Sequence, residues 1–270
     1  MASTPTTPAP EAETYLPDGP LPAKPARPLN PAGNLAAKAS DVTLKPGEVL
    51  YIKNATTSPP SDLCPDGALT YEYWVPRDRN APWLLKRTAT GDVKGGRDEQ
   101  RVNGGKFEGN TYEVPDDSAW SPSPNNVAAL SRDPAVLYEK LRAEVNATPP
   151  AGAPKRPDLT PAARAADIVF TLLADPSTTV PADLRAAVLR TLGLLPGITV
   201  RFADGRPAVI VSWQLRGGQS RTELVPDPAT ARPIMYQDVA TAPVHGVPPG
   251  QAIWSSVSNH AVVHALGQRP

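Results

Sequence analysis

The sequence predicts an α+β domain: a curved antiparallel sheet of two meanders, with about three amphipathic helices inserted between them and packed on it. Three observations predict this. Period-two patterns broken by short polar turns fill residues 49–103 and return over 198–266. Between them, over 133–192, apolar residues recur at helical spacing. Neither strand-rich half holds the long crossovers that parallel pairing requires. Strands, then helices, then strands, is the α+β order.

Residues 1–40 are expected to be a disordered tether, and 41–270 a single domain. The first stretch repeats Pro, Ala and Thr, as in Thr4-Pro5-Thr6-Thr7-Pro8 and Pro20-Leu21-Pro22-Ala23-Lys24-Pro25. Such a composition buries too little apolar surface to offset chain entropy and favours extended polyproline II. The other readings are a Pro-rich ligand for an aromatic groove, or a strap packing through Tyr15, Leu16 and Leu35.

Strands are predicted at 49–53, 68–75 and 83–88, with the breaker-rich 58–67 as a loop. Thr90-Gly91-Asp92 and Asn103-Gly104-Gly105 read as hairpin turns around a polar, exposed pair of strands. Asp133-Pro134 then starts a helix whose Leu137, Leu141 and Val145 follow at intervals of four. Thr160-Pro161 starts a second, with Ala165, Ile168, Val169 and Leu172 on one face. Pro181 starts a third, with Leu184, Val188 and Leu192 inward and Gly193 as its stop. Strands resume at 198–202, 208–215, 220–225 and 234–239, and the last is expected over 256–266.

Composition narrows function. The 270 residues carry 27 basic and 27 acidic side chains, so no net field exists to attract nucleic acid or an anionic membrane. The 35 prolines demand long irregular stretches or many short elements. The single cysteine, Cys64, rules out an internal disulfide or a cysteine metal cage. No run of about 20 apolar residues could cross a bilayer, and the start carries no export signal. Membrane attachment is therefore expected only through an anchor absent from this chain.

The candidate chemistry is thin. His260 and His264 have the spacing of helical metal ligands, but Ala261-Val262-Val263 between them is β-prone and no acidic residue accompanies them. They read as structural or surface histidines, and no metal is expected. No Gly-x-Ser-x-Gly occurs, and Ser255-Ser256 lie near His260 only in sequence. Cys64 sits among Asp62 and Asp66, which raise a thiol pKa. Gly91-Asp92-Val93-Lys94-Gly95-Gly96 lacks a phosphate-loop ending, and Asp116-Asp117 point to opposite sides of an extended chain. Asn54-Ala55-Thr56 and Asn146-Ala147-Thr148 fit the glycan acceptor pattern, which matters only in a secretory host. No catalytic residue and no cofactor is expected. What remains is apolar: Tyr71, Tyr73, Trp74, Trp83, Trp213, Ile168 and Leu172 are the candidates for lining a groove between sheet and helices. Such stripes commonly form core.

Several motifs in succession carry a resemblance. They are Leu44-Lys45-Pro46-Gly47-Glu48-Val49-Leu50-Tyr51, then Trp74, Trp83, Arg87 and Gly91, then Leu130-Ser131-Arg132-Asp133-Pro134. Further on come Pro181-Ala182-Asp183-Leu184-Arg185-Ala186-Ala187, Leu195-Pro196-Gly197-Ile198-Thr199-Val200, Asp204-Gly205-Arg206 and Asp227-Pro228-Ala229-Thr230. Together they resemble an uncharacterised actinobacterial family of membrane-anchored ectodomains often encoded beside extracytoplasmic-function sigma factors. The chain departs from it in lacking the cytoplasmic and transmembrane parts. A more distant likeness, resting on strand order and the Asp227 turn, is to the half-barrel of lipoprotein carriers and of a sigma-E regulator. The resemblance implies a half-barrel-like sheet and an extracytoplasmic, cell-envelope location. It also implies a non-enzymatic binding or sensing role toward an apolar ligand or an envelope protein partner. A secreted hydrolase-like protein and a structural wall-spanning domain are the alternatives.

Overall fold

The structure is a computed structural model, and it describes residues 20–25, 34, 36–58, 67–78, 80–90, 99–103, 120, 124–147, 160–174, 180–196, 198–203, 206–215, 218–227, 229–244 and 246–270. In β6 and the adjoining ends of β5 and β7 it describes the backbone alone. Cys64, the Gly91–Gly96 stretch, Asp116, Asp117, Tyr15, Leu16 and Leu35 lie outside the described residues.

Among the described residues the chain is α+β, with nine strands and four helices. The strands are β1 Val49–Ser58, β2 Gly67–Pro76, β3 Pro82–Ala89, β4 Glu99–Asn103, β5 Ile198–Ala203, β6 Arg206–Leu215, β7 Gly218–Pro226, β8 Pro233–Ala240 and β9 Ala252–Val263. The helices are α1 Pro124–Ala129, α2 Pro134–Asn146, α3 Pro161–Ala174 and α4 Ala182–Leu192. All nine strands pair antiparallel in one open, curved sheet of order β4-β3-β2-β1-β9-β8-β7-β6-β5.

Local signals account for most elements. The Asp133 carboxylate accepts the Ala135 amide at 2.8 Å and Pro134 opens α2, whose Leu137, Leu141 and Val145 are buried. Pro46-Gly47 turns the chain into β1, with Gly47 at φ 85 where a side chain would be strained. α4 stops where expected, with Gly193 as its C-cap at φ −64, and the turns that follow bury Leu194 and Leu195. Two differences from expectation stand out. α1 is an extra helix, six residues long, too short to show a periodic stripe. β9 begins at Ala252 and ends at Val263, after which the chain leaves the sheet.

Register assigns the two faces, because directly paired residues share one. One face carries Val102, Trp83, Leu85, Tyr73, Tyr71, Leu50, Ile52, His260, Ser256, Trp254, Tyr236, Asp238, Thr222 and Leu224. Helices α2, α3 and α4 pack together and cover its β5–β8 end, where Leu224, Ile198 and Tyr236 join their core. At its β1–β4 end Leu50, Ile52, Tyr73, Val75, Trp83 and Leu85 form a second cluster, with Val42 and Leu44 against it. The opposite face holds a third cluster of Val49, Tyr51, Trp74, Leu84 and Val263, under Leu266.

Described residues ahead of β1 are part of this architecture. Leu21 is buried in the helical core, and its backbone is clamped from both sides by the Asn146 amide, at 3.0 and 3.1 Å. Tyr138 adds a hydroxyl bond to the Pro22 carbonyl. Ala36 also lies in that core.

Candidate functional site

The two apolar clusters on the helix-bearing face are separated by a polar seam along β1, β9 and β8. Its residues reach it by strand alternation. In the seam Thr56 donates to Ser256, and Ser256 donates to the buried Asn54. Farther along, Asp238 accepts from the Thr222 hydroxyl and from Trp254 Nε1 at 2.8 Å. Trp254 stands edge-on to Tyr236, ring centres 5.0 Å apart, and Tyr236 edge-on to Phe170 of α3 at 5.9 Å. This aromatic relay connects the helical core to a carboxylate. Burial pushes the Asp238 carboxyl above its ordinary range; the two donors oppose that, and nearby Asp167 of α3 adds to it.

The other end of the seam is basic. His260 pairs with Ile52 across the β1–β9 ladder. Its imidazole is pushed down to about 4, first by burial and then by the positive charges of Arg232 and Arg185, with Asp227 opposing. Arg185 of α4 is almost wholly enclosed. Its guanidinium donates to the carbonyls of Val180, Ser40 and Thr230 and to Asp41 Oδ1 at 2.9 Å. Arg232 reaches the same Asp41 oxygen at 3.5 Å, and Asp41 Oδ2 accepts the amide of Ala182, the first residue of α4, at 2.9 Å. Asp227 is occupied within its own turn, where Oδ1 accepts the Ala229 and Thr230 amides.

Asp41 belongs to a strap, residues 36–48, that crosses this face. Ala36 and Ala39 lie on the helical core, Ser40 and Asp41 on the arginines, and Val42 and Leu44 on the β1–β4 cluster. The strap thus links the helical core to the β1–β4 cluster by way of the two arginines.

A second network lies on the opposite face. Glu72, its side chain 5% exposed, accepts from Tyr51 at 2.6 Å and from Arg269 at 2.8 and 2.5 Å. Trp74 Nε1 donates to the Gln268 carbonyl, and the Gln268 side chain accepts the His264 amide at 2.9 Å. Residues 264–270 therefore fold back over β1–β3 as a latch. The Glu72 carboxyl is held below its usual range: burial raises it, but Arg269 and Tyr51 outweigh that. Burial and the adjacent Glu72 push the Tyr51 hydroxyl well above its ordinary value.

The sequence-nominated residues are split by this arrangement. Tyr71, Tyr73 and Trp83 share the helix-bearing face within one cluster. Ile168 and Leu172 belong to the helical core at the far end of that face. Trp74 is on the other side of the sheet, because it follows Tyr73 directly along a strand. Trp213 lies in β6 opposite Ser220, and its side chain is outside the described residues. Asn54 is a glycan acceptor pattern that the fold closes, since its side chain is buried under Ser256. Asn146 is engaged with Leu21. His260 lies in the seam, whereas His264 is exposed beyond the end of β9. Ser256 is bonded to Asn54, and Ser255 points to the other face, beside Thr57.

Arg185, Arg232, Asp41 and Asp238 are the residues that sequence reasoning missed. A signal existed for two of them. Arg185 lies at a position where Leu184 and Val188 make the helix face inward, and Asp238 alternates in phase with Tyr236 on β8.

Among the described residues, no group of three or more His, Cys, Asp or Glu is placed to hold a metal ion, and no helix is long and apolar enough to cross a membrane. No protein-family model, curated protein or solved structure matches the chain.

Proposed function

We propose that this chain is a non-enzymatic binding or sensing domain whose working surface is the helix-bearing face of the sheet. The observation that carries the reading is the strap. Residues 36–48 lie between the helices and the β1–β4 half, where a guest would lie, held by polar contacts at Asp41 and by apolar contacts at Val42 and Leu44. A segment so placed can be exchanged for a ligand that offers the same contacts. In this picture the sheet acts as a half-barrel of two meanders embracing the helices, which the strand order supports. The guest is an apolar ligand or an apolar segment of an envelope protein, and the setting is extracytoplasmic, with a link to sigma-factor regulation. Those assignments draw on the motif resemblance and on the zero net charge.

The test is organic extraction of the purified chain followed by mass spectrometry, with native mass spectrometry beside it. A stoichiometric apolar guest is expected. A protein that emerges empty and takes up no added lipid or envelope protein overturns the reading.

A further inference from the structure

The latch is an exposed segment seated on a buried receptor. The Arg269 side chain is 63% exposed, whereas that of Glu72, which it grips, is 5% exposed. Trp74, whose Nε1 donates to the Gln268 carbonyl, is wholly buried. The sheet builds this receptor from its own strands. Glu72 and Trp74 stand on β2, and the Tyr51 hydroxyl of the paired strand β1 donates to Glu72 Oε1 at 2.6 Å. The Tyr51 and Trp74 ring centres lie 5.2 Å apart.

The receptor reads three features of the latch. Leu266 packs on the cluster of Tyr51, Trp74 and Leu84. Gly267, at φ 83 and close to Leu84, makes a turn in which the Gln268 amide donates to the Ala265 carbonyl at 3.2 Å. Arg269 then closes a fork on the carboxylate: Nε donates to Oε1 at 2.8 Å and Nη2 to Oε2 at 2.5 Å. An ammonium group cannot reproduce that planar pair of bonds. The lysines nearby do not replace it. Lys53, across the ladder, acts on Glu72 only through its field, and Lys86 pairs with Glu99 at 3.3 Å. An ion pair whose cation stays in water holds weakly, so the latch can open while the sheet stays folded. Opening bares a carboxylate, an indole N–H and an apolar cleft together.

We infer that this cleft docks an arginine-bearing segment of another protein chain, with an apolar residue three positions before the arginine and a glycine turn between them. Residues 264–270 occupy the cleft in cis and leave when the partner enters. The site lies on the face opposite the helices, so it goes beyond the binding reading above and does not rest on it.

The test uses the full chain carrying Arg269→Gln, with a fluorescent peptide of the sequence of residues 263–270 as the probe. The substitution keeps every strand and takes the chain's own arginine out of the cleft. This variant should bind the peptide, and wild type at least about tenfold more weakly, because its latch competes. Peptides with lysine in place of the arginine, or alanine in place of the leucine, should each bind about tenfold more weakly. Adding Glu72→Gln should abolish binding. No binding by Arg269→Gln, equal binding of the arginine and lysine peptides, or binding that survives Glu72→Gln each overturns the site. Should Arg269→Gln fail to fold, hydrogen exchange on wild type decides. The His264 amide, held by the Gln268 side chain at 2.9 Å, should exchange faster with excess arginine peptide and not with the lysine one. A rate that is unchanged, or raised equally by both peptides, overturns the proposal.

Discussion

At the residue scale, the seam is governed by charges that the fold holds away from water. Asp238 accepts two hydrogen bonds, yet its carboxyl titrates above the ordinary range because burial and Asp167 outweigh the donors. The sign of the pH effect follows. A carboxyl whose folded pKa is raised stabilises the fold below its unfolded pKa, and that contribution is lost as pH rises through the folded pKa. At neutral pH the ionised form is therefore a burden. Asp238→Asn can keep both contacts, since its carbonyl accepts from Trp254 and its amide donates to a rotated Thr222 hydroxyl. We expect Asp238→Asn to be more stable than wild type by about 1 kcal/mol at pH 7, with the advantage shrinking toward pH 4. Asp238→Ala should instead lose about 1–3 kcal/mol at pH 7, because Trp254 Nε1 and Thr222 lose their acceptor. Urea denaturation at both pH values checks this, and equal stability of the two variants would refute the account.

At the element scale, the N-terminal Pro-rich stretch separates what a sequence reveals from what it hides. A tether is removable without cost. Leu21, however, is 3% exposed in the helical core and has its backbone clamped by Asn146. Replacing Leu21 by Ala should cost about 2 kcal/mol, a Tm drop of about 4–8 °C for a chain of this size. Calorimetry on that variant decides between strap and tether. One leucine among prolines has no periodicity to announce its burial, and its partner is 125 residues away. The Asp133-Pro134 cap and the Asp227 turn were legible for the opposite reason: they act within a few residues. The Leu130–Pro134 and Pro181–Ala187 stretches meet in a joint between helices. Arg132 binds the carbonyls of Val127, Ala128 and Leu130 and pairs with Asp183 of α4 at 3.1 Å. That joint is made by residues near helix starts, while the seam is assembled by distant strands. Alternation placed Tyr71, Tyr73 and Val75 on one face, but nothing local could bring Arg185 to Asp41 or Trp254 to Asp238.

At the scale of the whole molecule, the sheet is joined into one unit by its first and last strands. β1 and β9 pair in the middle of the order, and Thr56 meets Ser256 across 200 positions. Each half-sheet is local and could form early, whereas the β1–β9 ladder must wait for a very large loop to close. The seam lies on this ladder and its neighbour β8, so the candidate site exists only once the halves have joined. Two truncations separate the joining strand from the latch that follows it. A chain ending at Val263 loses the Arg269–Glu72 and Trp74–Gln268 contacts but keeps every strand. It should unfold cooperatively, about 1–3 kcal/mol less stable, since Glu72 is left buried with Tyr51 alone. A chain ending at Gly250 lacks β9 and leaves β1 and β8 as two new edges, with Leu50 and Ile52 flanked on one side only. Unpaired apolar edges recruit other chains. That shorter chain should show no single cooperative urea transition and should associate on sizing columns. A monomeric, cooperative fold for it would mean that the half-sheets are independent and that β9 merely decorates them.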